Sequence, residues 1–149
     1  MKGHHQIIAI LPYLATVLKK QGRLEETKKL YERVLSGQER VLGPNREETL
    51  QTVNNLATVL YDQRLLEDAK KLYERALSGR ERVLGLNHEN NLLTVDNLAT
   101  VLHQQGRLEE AKKLYERAFS GFERILGPVH EKTIAISQVL SQINQHLKK

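Results

Sequence analysis

The chain of 149 residues has the composition of a folded, helix-rich protein. Apolar residues make up 40% of it and charged residues 28%, so intrinsic disorder is excluded, and the low aromatic content predicts a core of Leu, Ala and Val. No cysteine is present, which excludes disulfides, thiolate metal sites and thiol nucleophiles.

The charge and hydropathy patterns give no support to nucleic-acid or membrane binding. The net charge is +5, but basic residues alternate with glutamate, as in residues 70–75, and this alternation is typical of a solvated helix face. No apolar run approaches the roughly 18 residues of a membrane-spanning helix, and no secretory signal stands before the first repeat. We therefore expect a cytoplasmic protein, with the nucleus as the alternative location.

An internal repeat of 42 residues organises the chain. The block Leu-Ala-Thr-Val-Leu occurs at 14–18, 56–60 and 98–102. Two further blocks keep the same register: Lys-Lys-Leu-Tyr-Glu-Arg at 28–33, 70–75 and 112–117, and Glu-Arg-Val-Leu-Gly at 39–43 and 81–85, with Ile for Val at 123–127. Three blocks in one register indicate repeats over about 4–45, 46–87 and 88–129, followed by a last segment at 130–149.

Each repeat is predicted as two helices joined by a short turn. In repeat two, the first helix runs from about Glu48 to Asp62, with apolar residues spaced by three and four on one face: Leu50, Val53, Leu56, Ala57 and Leu60. The second helix runs from about Leu66 to Leu84, and its apolar stripe is Leu66, Ala69, Tyr73, Ala76 and Val83, widened by Leu72, Leu77 and Leu84. A seventh helix is expected from about Lys132 to Leu147.

The glycines have positions that predict backbone geometry. Gly22 and Gly106 follow the first helices, where glycine accommodates the left-handed conformation that ends a helix, and Arg64 at the same place is expected to cost a little stability. Gly79 and Gly121, like Gly37, lie inside the second helix, where glycine costs about 1 kcal/mol against alanine. Their repetition either marks the close approach of a neighbouring helix or is inherited from an ancestral unit.

The apolar pattern resembles the tetratricopeptide repeat. Its signature in repeat two is Leu56-Ala57 in the first helix, then Ala69-x3-Tyr73 and Ala76 in the second. The 42-residue unit is similar to the kinesin light chain type, and also to arrays in fungal and bacterial signalling ATPases of the immune-receptor kind. The usual unit has about 34 residues and ends at a proline, so Glu81 at that place predicts a longer second helix.

The resemblance implies an all-α, right-handed superhelical solenoid of three helix pairs plus a C-terminal capping helix. It also implies a protein-protein interaction scaffold that binds a peptide or protein segment, with no enzymatic activity and no cofactor. The first helices of such a stack line a concave groove. We expect these residues to face it: Tyr13, Thr16, Lys19 and Lys20; Gln51, Asn54, Asn55, Thr58, Tyr61 and Asp62; Leu93, Asp96, Asn97, Thr100, His103 and Gln104.

Asn55 and Asn97 match the asparagine with which members of this family clamp the backbone of an extended peptide. An amide offers both a donor and an acceptor, as a peptide bond requires. The alternative is that each asparagine hydrogen-bonds a neighbouring helix and stabilises the stack. The groove is mixed in charge, so the sequence does not choose between acidic and basic ligands.

The two ends of the stack differ in polarity. Ser137, Ser141 and Asn144 replace apolar residues of repeat three on the seventh helix, which predicts a C-terminal cap. At the N-terminal end, apolar residues form a cluster that we expect to pack on an upstream segment or on a second copy: Ile7, Ile8, Ile10 and Leu11.

Catalysis and metal binding find little support. His103 beside Asp62 or Asp96 resembles a base with an orienting carboxylate, but no nucleophile motif or phosphate loop accompanies them, and a solvated groove predicts ordinary pKa values. His88 and His130 lie one repeat apart, too far to share an ion, and are expected to cap the following helices. The alternatives to a groove-binding scaffold are an assembly or autoinhibitory module of a larger signalling protein, or an idealised repeat without a natural ligand.

Overall fold

The helices follow one another along the chain and pack mainly on their neighbours in sequence. A computed structural model describes residue 10, residues 13–85 and residues 88–149. In these residues the helices are α1 (13–20), α2 (Leu24–Val41), α3 (Glu47–Asp62), α4 (Leu66–Leu84), α5 (Glu89–Gln104), α6 (Leu108–Leu126) and α7 (Glu131–Leu147). Each helix from α2 to α7 packs on the next, and α3 also contacts α5. This is the solenoid of helix pairs that the 42-residue repeat predicts.

The helix boundaries agree closely with the sequence pattern. In repeat two the first helix was expected from Glu48 and begins at Glu47, and the second helix covers Leu66–Leu84 as expected. The second helix therefore does continue beyond Glu81. No helix in the described part of the chain combines the length and the apolar character that crossing a bilayer requires.

The core follows the predicted stripes with one exception at the end of each second helix. Ala69, Tyr73 and Ala76 of α4 are buried, but Val83 is 56% exposed, so its assignment to the core was wrong. Arg80 contacts Glu47, the first residue of α3. The residues of α4 that follow Arg80 therefore extend past the start of α3. Arg80, which the hydrophobicity pattern passes over, is only 2% exposed.

The glycines inside the second helices mark close helix–helix contacts. A Cβ atom built at Gly79 would lie 2.7 Å from Cδ2 of Leu50, and one at Gly121 would overlap Leu92 in the same way. Any side chain at these positions would have to displace a fully buried leucine, which destabilises a packed core. Of the two explanations for the repeated glycine, the structure supports close approach at Gly79 and Gly121.

Polar groups at the helix ends are satisfied by residues of the next element. The ring nitrogen Nδ1 of His88 accepts from the backbone N–H of Asn90 at 3.1 Å, and His130 does the same for Lys132, so both cap helices as predicted. Thr49 Oγ1 donates to the carbonyl of Gly43 at 2.9 Å, which joins α3 to the end of α2. These bonds fix how one repeat follows another.

The turn inside repeat two has the strained backbone that its sequence predicts. Arg64 has φ 67°, close to the values of Gly22 (72°) and Gly106 (78°) at the same place in the other repeats. The left-handed region costs a residue with a Cβ roughly 1–2 kcal/mol relative to glycine. Part of the advantage of a glycine is lost again because glycine makes the unfolded chain more flexible.

We expect Arg64→Gly to raise the free energy of unfolding by about 0.5–1 kcal/mol, since it removes the Cβ from a left-handed residue. Urea-induced unfolding followed by circular dichroism measures the change. Gly106→Arg is the matched control and should destabilise by a similar amount. A loss of stability on Arg64→Gly would contradict this account of the turn.

Candidate interaction groove

The outward side chains of α1, α3, α5 and α7 form one continuous surface, which we call the groove surface. Lys19 Nζ on α1 lies 2.9 Å from Asp62 Oδ2 on α3, and α3 in turn contacts α5. His103 on α5 and Gln142 on α7 line the same cleft. The four first helices therefore adjoin each other in the order that the repeat predicts.

Asn55 lies on the groove surface and bonds within its own helix. Its Oδ1 accepts from Nε2 of Gln51 at 2.9 Å, and no bond joins it to another helix of the described residues. Asn54 differs, because its Oδ1 accepts from Thr94 Oγ1 on α5 at 3.2 Å. A bond to a neighbouring helix, the alternative role proposed for Asn55 and Asn97, is thus made by the adjacent Asn54.

Asn97 occupies the corresponding place on α5 and is half-buried. The side chain of Asn97 hydrogen-bonds no other described residue. Neither the oxygen nor the nitrogen of its amide is buried without a partner, so the amide reaches solvent. Leu93 stands where α3 has Gln51, which explains why Asn97 lacks the bond that Asn55 makes. Its donor and its acceptor both remain available.

The α1 part of the groove surface borders a small cavity. This cavity of about 140 Å³ is lined by Ala15, Thr16, Lys19, Thr27, Tyr31, Asn55 and Thr58. Lys20 and Tyr13 are exposed beside it. Hydroxyls, one ammonium and the Asn55 amide therefore meet at the junction of repeats one and two.

Two predicted groove residues also connect the helices of a pair. The hydroxyl of Thr58 lies 2.7 Å from the Tyr73 hydroxyl, and that of Thr100 lies 2.9 Å from the Tyr115 hydroxyl. Burial raises the pKa of Tyr73 and of Tyr115 to about 12, and the bond from each threonine opposes the shift. Thr58 and Thr100 therefore also join the two helices of a pair, and Thr58 lines the cavity at the junction of repeats one and two.

The carboxylates and the histidine of the groove surface do not form a catalytic pair. The His103 ring packs edge-on against Tyr115 with centroids 6.3 Å apart, and neither Asp62 nor Asp96 hydrogen-bonds it in the described residues. Burial raises the pKa of Asp96, while the Lys132 ammonium opposes the shift. The expectation of ordinary pKa values in the groove was therefore wrong for Asp96.

The last helix contributes side chains that the sequence analysis assigned only to a cap. Gln142, Ile143 and His146 of α7 line a cleft of about 360 Å³ together with His103 of α5. The 42-residue offset could have found them, because Gln142 follows Thr100 by one repeat. On the other side of α7, Ser137, Ser141 and Asn144 face an open cleft of about 430 Å³, as expected of a terminal helix.

The N-terminal face of α1 is apolar and uncovered. Ile10 is 60% exposed and Val17 49% exposed, whereas Val59 and Val101, one and two repeats later, are buried at 2% and 0%. Leu14 is also exposed, although Leu56 and Leu98 at the same place are buried. The remaining residues of the predicted apolar cluster, Ile7, Ile8 and Leu11, lie outside the described residues.

Fold and surface together define a class, that of helical-repeat solenoids. Within the described residues no group of three or more His, Cys, Asp or Glu side chains is placed to hold a metal ion. The family described as Tetratricopeptide repeat matches residues 6–82 and 89–149, and the chain belongs to this family. Tetratricopeptide repeats generally mediate protein–protein interactions.

Two of the solved structures that are similar to this chain are arrays of TPR-like repeats of the kinesin light chain type. A crystal structure of kinesin light chain nearly identical TPR-like repeats from Podosopora anserina matches with TM-score 0.85 and 21% identity over 93% of this chain and 67% of that one. A single-residue variant of the same array matches with TM-score 0.84 at 21% identity, over 92% and 66%. BtubC (BKLC) from P. vanneervenii matches with TM-score 0.71 and 18% identity over 95% and 64%.

These likenesses show the fold. The chain spans about two thirds of the length of the solved chains that it matches. No curated protein matches the chain.

The raised tyrosine pKa values predict a loss of stability in alkali. Unfolding returns Tyr73 and Tyr115 to the ordinary tyrosine pKa of about 10, so their contribution is complete below pH ~10 and is lost as the pH rises through about 12. Each tyrosine then accounts for roughly 2–3 kcal/mol of the decline. Urea titrations between pH 9 and 12 measure it.

Tyr73→Phe combined with Tyr115→Phe is the control for this prediction. The double variant has no hydroxyl to ionise at either place, so it should show a flatter pH dependence. An equally steep decline in that variant would assign the alkaline loss to other groups.

Proposed function

We propose that the chain is a non-enzymatic interaction module whose groove surface binds an extended peptide segment. The observation that carries the proposal is the free side-chain amide of Asn97, one repeat away from Asn55 on the same surface. Two amides in register along a row of parallel helices suit a ligand that repeats donors and acceptors along its length, as an extended backbone does.

The charges around these amides favour recognition through the backbone. Lys19 and Asp62 pair with each other, and Asp96 has the Lys132 ammonium near it, which lowers its pKa while burial raises it. Charged ligand side chains therefore find few unpaired opposite charges beside the asparagines. Affinity then depends on hydrogen bonds from the amides and on apolar contact with half-buried residues such as Leu93.

The extent of the binding unit is part of the proposal. We take 1–149 as one solenoid domain, with the groove surface running from α1 to α7. The resemblance to arrays of signalling ATPases suggests that a signalling complex is where such a module acts. No cofactor or metal is required.

Selection of peptides from a random library on the full chain tests the proposal. With a selected peptide, Asn97→Ala and Asn55→Ala should each weaken binding roughly 5–10-fold, the effect of about one net hydrogen bond, while the melting temperature changes little. Isothermal titration calorimetry measures the affinities. Asn45→Ala removes an exposed amide from a loop outside the groove and should leave binding unchanged.

Unchanged affinity in both asparagine variants would refute the clamp. A large fall in stability with unchanged binding would assign the asparagines to the stack. Library selection that yields no binder to the folded chain would refute peptide binding as such.

A second candidate function is assembly through the N-terminal face of the stack, formed by Leu14 and Val17 of α1 together with Ile10. The stack itself indicates the partner, because second helices cover the same positions inside it: α2 packs on α3, and α4 packs on α5. We propose that α1 docks an amphipathic helix of this second-helix type, supplied by a partner.

A synthetic peptide of residues 66–84, the sequence of α4, is the probe for this face. We expect it to shift the methyl resonances of Leu14 and Val17, and Val17→Lys to abolish the shifts because it places a charge in an apolar contact. Glu32→Lys on the exposed side of α2 is the control. Concentration-dependent dimerisation in sedimentation, with no response to the peptide, would show that a second copy is the occupant and overturn this proposal.

A further inference from the structure

Arg80 is a buried arginine behind the groove surface. It is 2% exposed, on α4, and it reaches residues of both α3 and α5. Gln38 and Phe122 stand at the same place in the other repeats and are also buried. The tetratricopeptide pattern does not require an arginine at this position, so the contacts of Arg80 distinguish repeat two from the other repeats.

One branch of these contacts runs to Asn55. Nη2 of Arg80 donates to Oε1 of Glu47 at 3.1 Å and also to Oε1 of Gln51. Gln51 Nε2 then donates to Oδ1 of Asn55 at 2.9 Å. Arg80 thus lies two hydrogen bonds behind a groove amide.

The chemistry of arginine gives this relay a direction. A guanidinium has five donors and no acceptor, so Gln51 has to turn its oxygen toward Arg80. Its NH₂ group then faces Asn55, which has to present Oδ1 to it. The amide nitrogen Nδ2 of Asn55 is left, and it bonds no other described residue and is not buried without a partner.

A second branch runs from Arg80 through Thr94 to Asn54. Nη1 of Arg80 donates to Thr94 Oγ1 at 3.0 Å, which leaves the Thr94 proton for acceptors. These acceptors are the Asn90 carbonyl at 3.3 Å and Oδ1 of Asn54 at 3.2 Å. Because these two acceptors share a single proton and the Thr94 oxygen has a second lone pair, this branch does not determine which end of the Asn54 amide faces α5.

From this geometry we propose that Arg80 is a positioning residue that makes Asn55 a donor-only site, so that the α3 part of the groove selects a ligand carbonyl oxygen at this position. Asn97 has no such relay, because Leu93 and Phe122 replace Gln51 and Arg80, and it accepts either polarity. The inference rests on the proposed peptide binding, and it specifies which atoms of the peptide meet α3.

The relay can be tested without any ligand. The chemical shift of a side-chain carbonyl carbon reports whether its oxygen accepts a hydrogen bond, and Asn97 serves as the internal reference. In Arg80→Phe, which copies repeat three, we expect the Asn55 signal to move toward that of Asn97. Arg80→Lys keeps a donor-only group and should preserve the Asn55 signal. An unchanged Asn55 signal in Arg80→Phe would refute the relay.

A second test builds the same relay in repeat three, so that its outcome does not depend on whether Arg80→Phe folds. Glu89 already stands one repeat after Glu47. Leu93→Gln combined with Phe122→Arg supplies the other members. We expect the Asn97 signal to move toward that of Asn55 in the double variant and not in Leu93→Gln alone. No movement in the folded double variant would count against the proposal.

The ligand arm uses a library-selected peptide and its amide-to-ester analogues, which lack one backbone N–H each. An analogue whose ester replaces the peptide group that contacts Asn55 should bind within about twofold of the parent peptide. An analogue whose ester replaces the peptide group that contacts Asn97 should lose affinity roughly 5–10-fold. Arg80→Phe should remove this difference. Equal losses of affinity at both asparagines would refute donor-only selection but would leave peptide binding intact. If no peptide binds the chain at all, the proposed function is refuted, and the resonance test still decides whether the relay exists.

Discussion

The contact of Leu50 with Gly79, repeated by Leu92 and Gly121, determines how close the two helices of a pair can lie. A glycine at this place lets a leucine of the first helix reach the backbone of the second. Because each repeat packs only on its neighbours, this spacing passes from pair to pair and orients every side chain of the groove surface. The polar bonds between repeats, such as Gln63 to Glu25 and Gln105 to Glu67, both 3.0 Å, recur only because the spacing recurs.

The arrangement of the helices could be predicted from the sequence because it depends on periodicity. Spacing by three and four and the 42-residue offset are visible in one chain, and the helices begin and end within a residue of the expected places in repeat two. The left-handed turn at Arg64 was equally predictable, since its counterparts are Gly22 and Gly106. Local patterns repeated three times leave little freedom to the fold.

The groove was less predictable because its side chains bond across helices and not along them. Thr58 was expected to face a ligand, and the sequence pattern did not show that its hydroxyl also reaches Tyr73, fifteen positions away on the next helix. Arg80 was passed over because a charged residue breaks an apolar stripe, although its partners on α3 and α5 make burial possible. A hydrophobicity pattern does not show whether hydrogen-bond acceptors on other helices surround a buried arginine.

Ion pairs connect successive second helices of the stack. Arg75 lies 3.4 Å from Glu39, and Arg117 lies 2.9 Å from Glu81, so that each of these pairs joins one repeat to the next. These partly exposed contacts lie behind the groove and weaken as salt screens them. Raising the ionic strength should therefore weaken the contact between second helices at these two junctions while leaving the apolar packing inside each helix pair unchanged.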